Sequence, residues 1–159
     1  MTIPFKILSA NLAVLFLGFI TITQSACNPR ENPIFRKAAL ENEQMITRQT
    51  EEAIKNSPVL QELDAMCKQI PLPANSQFIW KGGLDDQTIS LSYHYYSETK
   101  YEEAWSLFKV YFLQNGWKLT KEDNSYPKII EFRNDKYRVQ INYGGMGEGV
   151  NYGFSCEKL

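Results

Sequence analysis

The sequence predicts an α+β domain with a largely antiparallel sheet and helices packed on one face, preceded by a signal segment and an N-terminal helix. Hydrophobic residues recur first at helical spacing, then alternate as in strands, return once to helical spacing and alternate again to the end. The connections between the strand segments are short and rich in Gly, Asn and Asp, which favours antiparallel neighbours. The composition, 43% hydrophobic and 22% charged, is that of a folded chain.

The N-terminal segment has the layout of a secretory signal. It carries one base, Lys6, no acid, and an apolar run over residues 7–22. As a helix this run would reach roughly 24 Å, short of the roughly 30 Å hydrocarbon core of a bilayer. We therefore predict a cleaved signal peptide over residues 1–26, and the alternative is an uncleaved membrane anchor extending to Ala26.

The mature chain is predicted to begin with a tether and a helix. Residues 27–33 hold two prolines among polar residues, which is the composition of a short tether. A single α+β domain is expected over residues 34–159. Its first helix, 34–56, has high helix propensity but only a thin apolar stripe, which predicts a partly exposed helix.

A second helix is predicted over residues 58–69. Ser57 supplies its N-cap and Pro58 occupies its first turn, where a proline costs no hydrogen bond. Its apolar residues follow a period of 3.6. Cys67 lies on that apolar face, so we expect it to point into the core.

A short strand is expected next over residues 78–81, followed by a turn over 82–86 and a longer strand over 88–96. The longer strand alternates, and the residues predicted to be buried are Ile89, Leu91, Tyr93 and Tyr95. The residues predicted to point the other way, towards solvent or a partner, are Ser90, Ser92, His94 and Tyr96.

A third helix follows these strands. Thr99 and Glu102 have the spacing of a capping box at its start. Gly116 is expected to close it as a C-terminal cap. Its predicted apolar stripe consists of Tyr101, Ala104, Trp105, Phe108, Tyr111 and Phe112.

Four strands complete the chain, over residues 117–122, 128–133, 136–143 and 150–156. Asn134 and Asp135 fit a tight hairpin turn, and residues 144–149 form a longer glycine-rich loop. In the last strand Cys156 alternates in phase with Tyr152 and Phe154, so we expect it to face the core.

Cysteine parity predicts a disulfide between Cys67 and Cys156. If Cys27 is modified, these two remain as a pair in an oxidising compartment, where disulfides persist. The bond would join the second helix to the last strand. The alternative is two unpaired buried thiols.

The sequence Ser25-Ala26-Cys27 after the apolar run resembles the lipobox of bacterial lipoproteins, although Gln24 stands where that family has an aliphatic residue. The resemblance implies that Cys27 is lipidated and becomes the new N-terminus. It also implies an exported protein held by this lipid at a membrane of the cell envelope, on the periplasmic or extracellular face. The alternative is that Cys27 is the first residue left by ordinary cleavage.

A second resemblance covers about the last 70 residues. Thr99–Glu103, Gly116-Trp117 and the strands that follow resemble a small α+β module of bacterial secreted proteins and lipoproteins of uncharacterised function. The resemblance implies the fold and carries no catalytic residues across.

Several ligand classes are disfavoured by composition and spacing. Lys plus Arg number 17 and Asp plus Glu 18, so no positive field is expected to attract nucleic acid. One histidine and three cysteines do not make a zinc site of several His or Cys ligands. A strand rather than a helix follows Gly144–Gly149, which disfavours phosphate binding, and Asp85-Asp86 lacks the ligand spacing of a calcium loop. We expect no cofactor, metal or catalytic residue.

The leading functional hypothesis is a non-enzymatic, membrane-tethered binding or scaffolding protein, whose protein or other cell-envelope partner the sequence does not identify. Its expected recognition surface consists of His94, Tyr96 and Tyr126, because exposed aromatic residues are favoured contact residues. The alternative is a small exported hydrolase at His94, with Ser90 or Ser92 as its nucleophile. No sharp turn places either serine as a nucleophile, which favours the binding hypothesis.

Overall fold

The computed structural model of the chain describes residues 33–83, 89–144 and 150–159. Within these ranges it confirms the predicted α+β class, with helices and one antiparallel sheet. The helices are α1 (Pro33–Asn56), α2 (Pro58–Cys67) and α3 (Tyr101–Gln114). The strands are β1 (Gln77–Gly82), β2 (Ser90–Ser97), β3 (Lys118–Asp123), β4 (Lys128–Arg133), β5 (Tyr137–Gly144) and β6 (Val150–Lys158).

The sheet has the order β1-β2-β6-β5-β4-β3, and every neighbouring pair is antiparallel. The last strand therefore lies in the middle, between β2 and β5. This placement puts the C-terminal segment at the centre of the hydrogen-bonded network, with partners on both sides along its length.

The core lies between one face of the sheet and the helices. Aromatic rings dominate it, and α3 places Phe108 edge-on to Phe154 and Phe112 flat against Phe132. The fully enclosed side chains include Leu63, Leu91, Phe108, Phe112, Ile130, Phe132, Val139, Ile141 and Cys156. Packing of this kind, with rings at offset and edge-to-face angles, stabilises the domain mainly through removal of apolar surface from water.

A disulfide joins Cys67 at the end of α2 to Cys156 in β6, and their Cα atoms are 6.3 Å apart. Both cysteines are buried, as expected from the phase of each in its element. The predicted pairing is thus present in the structure. It links a helix to the central strand of the sheet across 89 residues of sequence.

The two outer strands of the sheet are protected in different ways. At β1, the hydroxyl of Thr47 in α1 accepts a hydrogen bond from the Lys81 backbone N–H at 3.2 Å, and so occupies an edge donor. At β3, the sequence Lys118–Asp123 is largely charged and exposed. A covering helix and a charged edge both oppose pairing with another chain.

Two compact units divide the chain between Asn42 and Glu43, inside α1. In the first, described residues 33–42 form an exposed helical segment, in which Lys37 and Glu41 make an i,i+4 ion pair of 3.8 Å. In the second unit the sheet, α2 and α3 share the core. The rest of α1 contributes Ile54 to this core, in keeping with the partly exposed helix that its thin stripe predicts.

The start of α2 is as predicted, and its end is not. The Ser57 hydroxyl accepts a hydrogen bond from the Leu60 N–H, which confirms the N-cap. The helix ends at Cys67 rather than at residue 69, because Gln69 and Ile70 donate to carbonyls three residues back and tighten into a turn. Pro71 follows, and the residue before a proline avoids helical backbone angles.

The predicted capping box at α3 is wrong, and its C-terminal cap is right. Lys100, rather than Thr99, is the N-cap residue, and its side chain makes no cap hydrogen bond. The Thr99 hydroxyl donates instead to the Ala74 carbonyl, so it does not cap the helix. At the other end Gly116 has a φ of +77°, and the N–H of Trp117 reaches the Phe112 carbonyl. This is the closure that a glycine in the left-handed region permits.

β4 begins and ends where predicted, and most boundaries of the other strands shift by one or two residues. The largest correction is Ile89, which was expected on the buried face. It precedes β2 and is 47% exposed, and its carbonyl accepts a hydrogen bond from the Lys158 N–H. The alternation therefore holds only from Ser90, where the pairing of β2 with β6 begins.

Candidate functional site

The face of the sheet opposite α2 and α3 is named here the polar face. The register places His94 and Tyr96 of β2 on it, while Tyr93 points into the core. This matches the predicted alternation of the strand. His94 and Tyr96 are half-buried rather than fully exposed.

His94 stacks on a residue that the sequence analysis did not single out. Its ring lies parallel to that of Trp80 in β1, with centroids 3.9 Å apart and planes at 10°. On its other side lies Gly153 of β6, where an added Cβ would come within 3.2 Å of the imidazole. The glycine therefore leaves the space that the imidazole occupies. Together Trp80 and His94 form a stacked aromatic pair on the polar face.

Tyr126 reaches the same face from the β3–β4 connection. A Cβ added to Gly144 would lie 3.5 Å from the Tyr126 hydroxyl, so this phenol projects over the end of β5. Gly144 pairs with Asn151, which in turn pairs with Tyr96. Two strand spacings, roughly 10 Å, thus separate the backbone of Tyr96 from the backbone beneath Tyr126. The fold brings the three predicted recognition residues to one face.

The serines on β2 are poorly placed for a hydrolase. The Ser90 hydroxyl donates to the Gly83 carbonyl at 2.8 Å, and the His94 imidazole makes no hydrogen bond with the side chain of either serine. Ser92 and His94 are two residues apart on the same strand, and their Cα atoms are therefore roughly 7 Å apart. Neither serine has the hydrogen-bonded base that an activated nucleophile requires.

Partial burial also sets the protonation of the imidazole. Removal of His94 from water lowers its pKa below the ordinary value of 6.5. The ring is therefore neutral at pH 7. A neutral imidazole can stack, donate and accept, and it adds no positive charge to the polar face.

A partly buried ionic cluster lies on the core side of the sheet, where the sequence predicted no site. The Tyr93 hydroxyl donates to the Asp64 carboxylate of α2, and Lys68 Nζ lies 2.6 Å from the same group. Lys81, which is 8% exposed, lies between Asp64 at 4.0 Å and Glu51 of α1 at 3.2 Å. The one signal available in the sequence was the i,i+4 spacing of Asp64 and Lys68.

The cluster holds its carboxylate ionised. Burial acts to raise the pKa of Asp64, but hydrogen bonds from Lys68 and Tyr93 outweigh it, and the pKa falls below 3.8. Burial and the same carboxylate raise the pKa of Tyr93. Each charge is matched by a partner, so the cluster ties α1 and α2 to the sheet and supplies no reactive group.

A cleft of about 250 Å³ opens between the ends of α2 and α3. Its aromatic wall includes Trp117 and Tyr137, and two of its amide side chains, those of Asn115 and Asn134, are already hydrogen-bonded. Asn115 donates to the Tyr111 carbonyl, and the Asn134 side chain accepts from two backbone N–H groups of its own turn. The cleft is therefore a packing groove rather than a site with convergent polar groups.

Several predicted features lie outside the described residues, namely the signal segment, Cys27, Asp85-Asp86 and residues 145–149. Across the described ranges, no three His, Cys, Asp or Glu side chains are grouped as a metal site would require. None of the helices in these ranges is both long and apolar enough to cross a membrane.

Comparison with known proteins finds no relative of this chain. Neither a protein family, nor a curated protein, nor a solved structure matches the chain.

Proposed function

We propose that this chain is a non-enzymatic exported protein, tethered to a membrane of the cell envelope through its N-terminus, which binds a partner through the polar face. The observation that carries the proposal is the convergence of His94, Tyr96 and Tyr126 on that face, beside Trp80. Aromatic side chains that remain accessible on a rigid sheet are effective anchors for a partner.

Two further features support export and binding. A disulfide such as Cys67–Cys156 is compatible with an oxidising compartment, which is where a signal peptide would deliver the chain. The sheet beneath the polar face is fixed by the core on its other side. A rigid scaffold lowers the entropy lost on binding.

The test measures retention of the purified protein in a sedimentation assay on cell-envelope particles from which the membrane lipid has been extracted, so that the N-terminal tether does not hold the protein. A double variant, His94→Ala with Tyr96→Ala, is expected to lose about tenfold or more of this retention, because both changes remove contact area from the polar face. Phe78→Ala is the matched control, since Phe78 is an aromatic residue of β1 that is 50% exposed and pairs with Tyr95 on the core side. Equal retention of all three proteins would contradict the proposal.

The alternative function, an exported hydrolase, makes a different prediction. A hydrolase with Ser90 or Ser92 as nucleophile should react with a fluorophosphonate probe, and the label should disappear in the serine-to-alanine variant. The hydrogen bond from Ser90 to the Gly83 carbonyl argues against this reaction. Labelling of either serine would favour the hydrolase.

A further inference from the structure

The polar face carries mainly uncharged polar side chains over the three strands β2, β6 and β5. Hydroxyl and amide groups predominate there, together with aromatic rings and two glycines. The residues in register on this face are Ser90, Ser92, His94, Tyr96, Asn151, Gly153, Ser155, Glu157, Arg138, Gln140, Asn142 and Gly144.

The two charged residues in this set neutralise each other. The Arg138 guanidinium donates to the Glu157 carboxylate on the neighbouring strand. His94 is neutral at pH 7, as argued above. The three strands therefore carry no net charge, and the adjacent β4 adds one base and one acid to the same face, Arg133 and Glu131. This balance gives the face no excess of positive charge to attract an anionic ligand such as a phosphate or a nucleic acid.

The hydroxyl and amide side chains on this face both donate and accept hydrogen bonds. Gln140 and Asn142 are linked to each other at 2.9 Å, and Ser155 lies in register beside Gln140. Aromatic groups border this polar area. The stacked pair Trp80–His94 and Tyr96 lie on one side of it, and Tyr126 lies on the other. The ligand that fits must present both hydroxyl groups and apolar C–H surfaces.

The geometry points to a neutral glycan chain as the ligand of the polar face. Sugar hydroxyls match donors and acceptors of the amide and hydroxyl type, and the C–H faces of a sugar ring pack against aromatic rings. This inference rests on the proposed binding function and specifies its ligand class. A polysaccharide of the cell envelope would supply such a chain.

A peptide ligand is the less favoured occupant. An extended peptide gains most of its affinity by adding a strand to a sheet edge. The strands of the polar face are interior, so their backbone groups already pair with neighbours on both sides. The outer strands are less receptive, because α1 binds β1 at Lys81 and β3 is charged.

The test is an NMR titration of the purified protein with two neutral oligosaccharides, chitotetraose and maltotetraose, and with a heparin tetrasaccharide as the anionic counterpart. We expect a neutral probe to shift the Gly153 amide, the Asn142 side-chain amide and the Trp80 indole N–H. We expect Asn142→Ala and Tyr96→Ala each to weaken this binding about tenfold or more. Gln114→Ala and Phe78→Ala are the matched controls, since both residues are exposed away from the polar face.

Failure of the ligand class and failure of the function give different results. Absence of shifts with both neutral probes, or stronger binding of the heparin fragment, would overturn the glycan inference. If retention on envelope particles still depended on His94 and Tyr96, the binding function would stand with a peptide or protein partner. If that retention were also unaffected by the double variant, both proposals would fall.

Discussion

At the scale of the residue, Asp64 is the side chain whose loss should cost most among the polar groups. Its carboxylate accepts from Tyr93 and pairs with Lys68, and it lies 4.0 Å from the buried Lys81 ammonium. Removal of the carboxylate leaves the buried Tyr93 hydroxyl without its acceptor and leaves the buried Lys81 ammonium with Glu51 alone, and a buried polar group that loses its partner is costly.

We therefore predict that Asp64→Ala lowers the free energy of unfolding by about 2 kcal/mol. Tyr93→Phe removes one hydrogen bond and leaves the ion pairs, so we expect a loss of about 1 kcal/mol. Urea unfolding followed by tryptophan fluorescence measures both. Lys37→Ala is the control, because its ion pair with Glu41 is exposed and such pairs contribute little. A loss of unfolding free energy in Asp64→Ala no larger than that in the control would contradict a stabilising role of the cluster.

His94 predicts a pH dependence of stability. Its pKa is lowered in the folded state by burial, so the unfolded chain binds the proton at a higher pH. The free energy of unfolding should therefore decrease as the pH falls below 6.5. The ordinary carboxyl pKa values, 3.8 and 4.5, lie below this window, and His94 is the one histidine of the chain.

The measurement compares the native protein with His94→Gln by urea unfolding between pH 7.5 and pH 5. The variant should lose this decrease, because glutamine does not titrate. Parallel pH profiles for the two proteins would show that burial of the imidazole has no energetic consequence.

At the scale of the element, the disulfide connects α2 with the central strand β6. Closing a loop of 89 residues restricts the unfolded chain, which the chain-entropy model values at about 4 to 5 kcal/mol. The helix also packs through Leu60 and Leu63, which are buried independently of the bond. The bond should therefore add stability without determining the fold.

Cys156→Ser is expected to lower the melting temperature by about 10 °C or more, since each kcal/mol moves the midpoint of a domain of this size by roughly 3 °C. Differential scanning calorimetry with and without reductant makes the comparison. Reductant should lower the midpoint of the native protein and leave that of the variant unchanged. Titration of two thiols at Cys67 and Cys156 in the exported protein would contradict the bond.

At the scale of the whole molecule, the N-terminal segment and Cys27 predict how the protein is delivered. We expect the intact mass of the exported protein to correspond to a chain that begins at Cys27 and carries lipid. Globomycin should block this processing. Cys27→Ser should move the protein from the membrane to the soluble fraction, whereas Ser57→Thr, which preserves the α2 cap, should leave it in place.

Two outcomes would contradict this delivery. Protein that retains Met1 in the membrane would mean that the signal segment is an uncleaved anchor. Membrane retention of the Cys27→Ser variant would mean that something other than lipid holds the chain.

Much of the fold is predictable because the signals are local. The period of apolar residues identifies helices and strands within a few turns of chain, and Ser57 and Gly116 act on backbone groups beside them. The phase of Cys67 in its helix and of Cys156 in its strand placed both in the core. Where a distant group competes for a side chain, the local prediction fails, as it does when Ala74 takes the Thr99 hydroxyl.

The candidate site divides in the same way. The sequence by itself determined the elements, the core face and the two cysteines that meet in it, because periodicity and parity are properties of neighbouring residues. Only the tertiary structure decided that β6 lies between β2 and β5, which sets His94 beside Gly153 and Asn142. It also decided the Trp80 stack and the pairing of Lys81 with Asp64. Strand order and register depend on contacts between residues far apart in the chain, and a local pattern does not encode them.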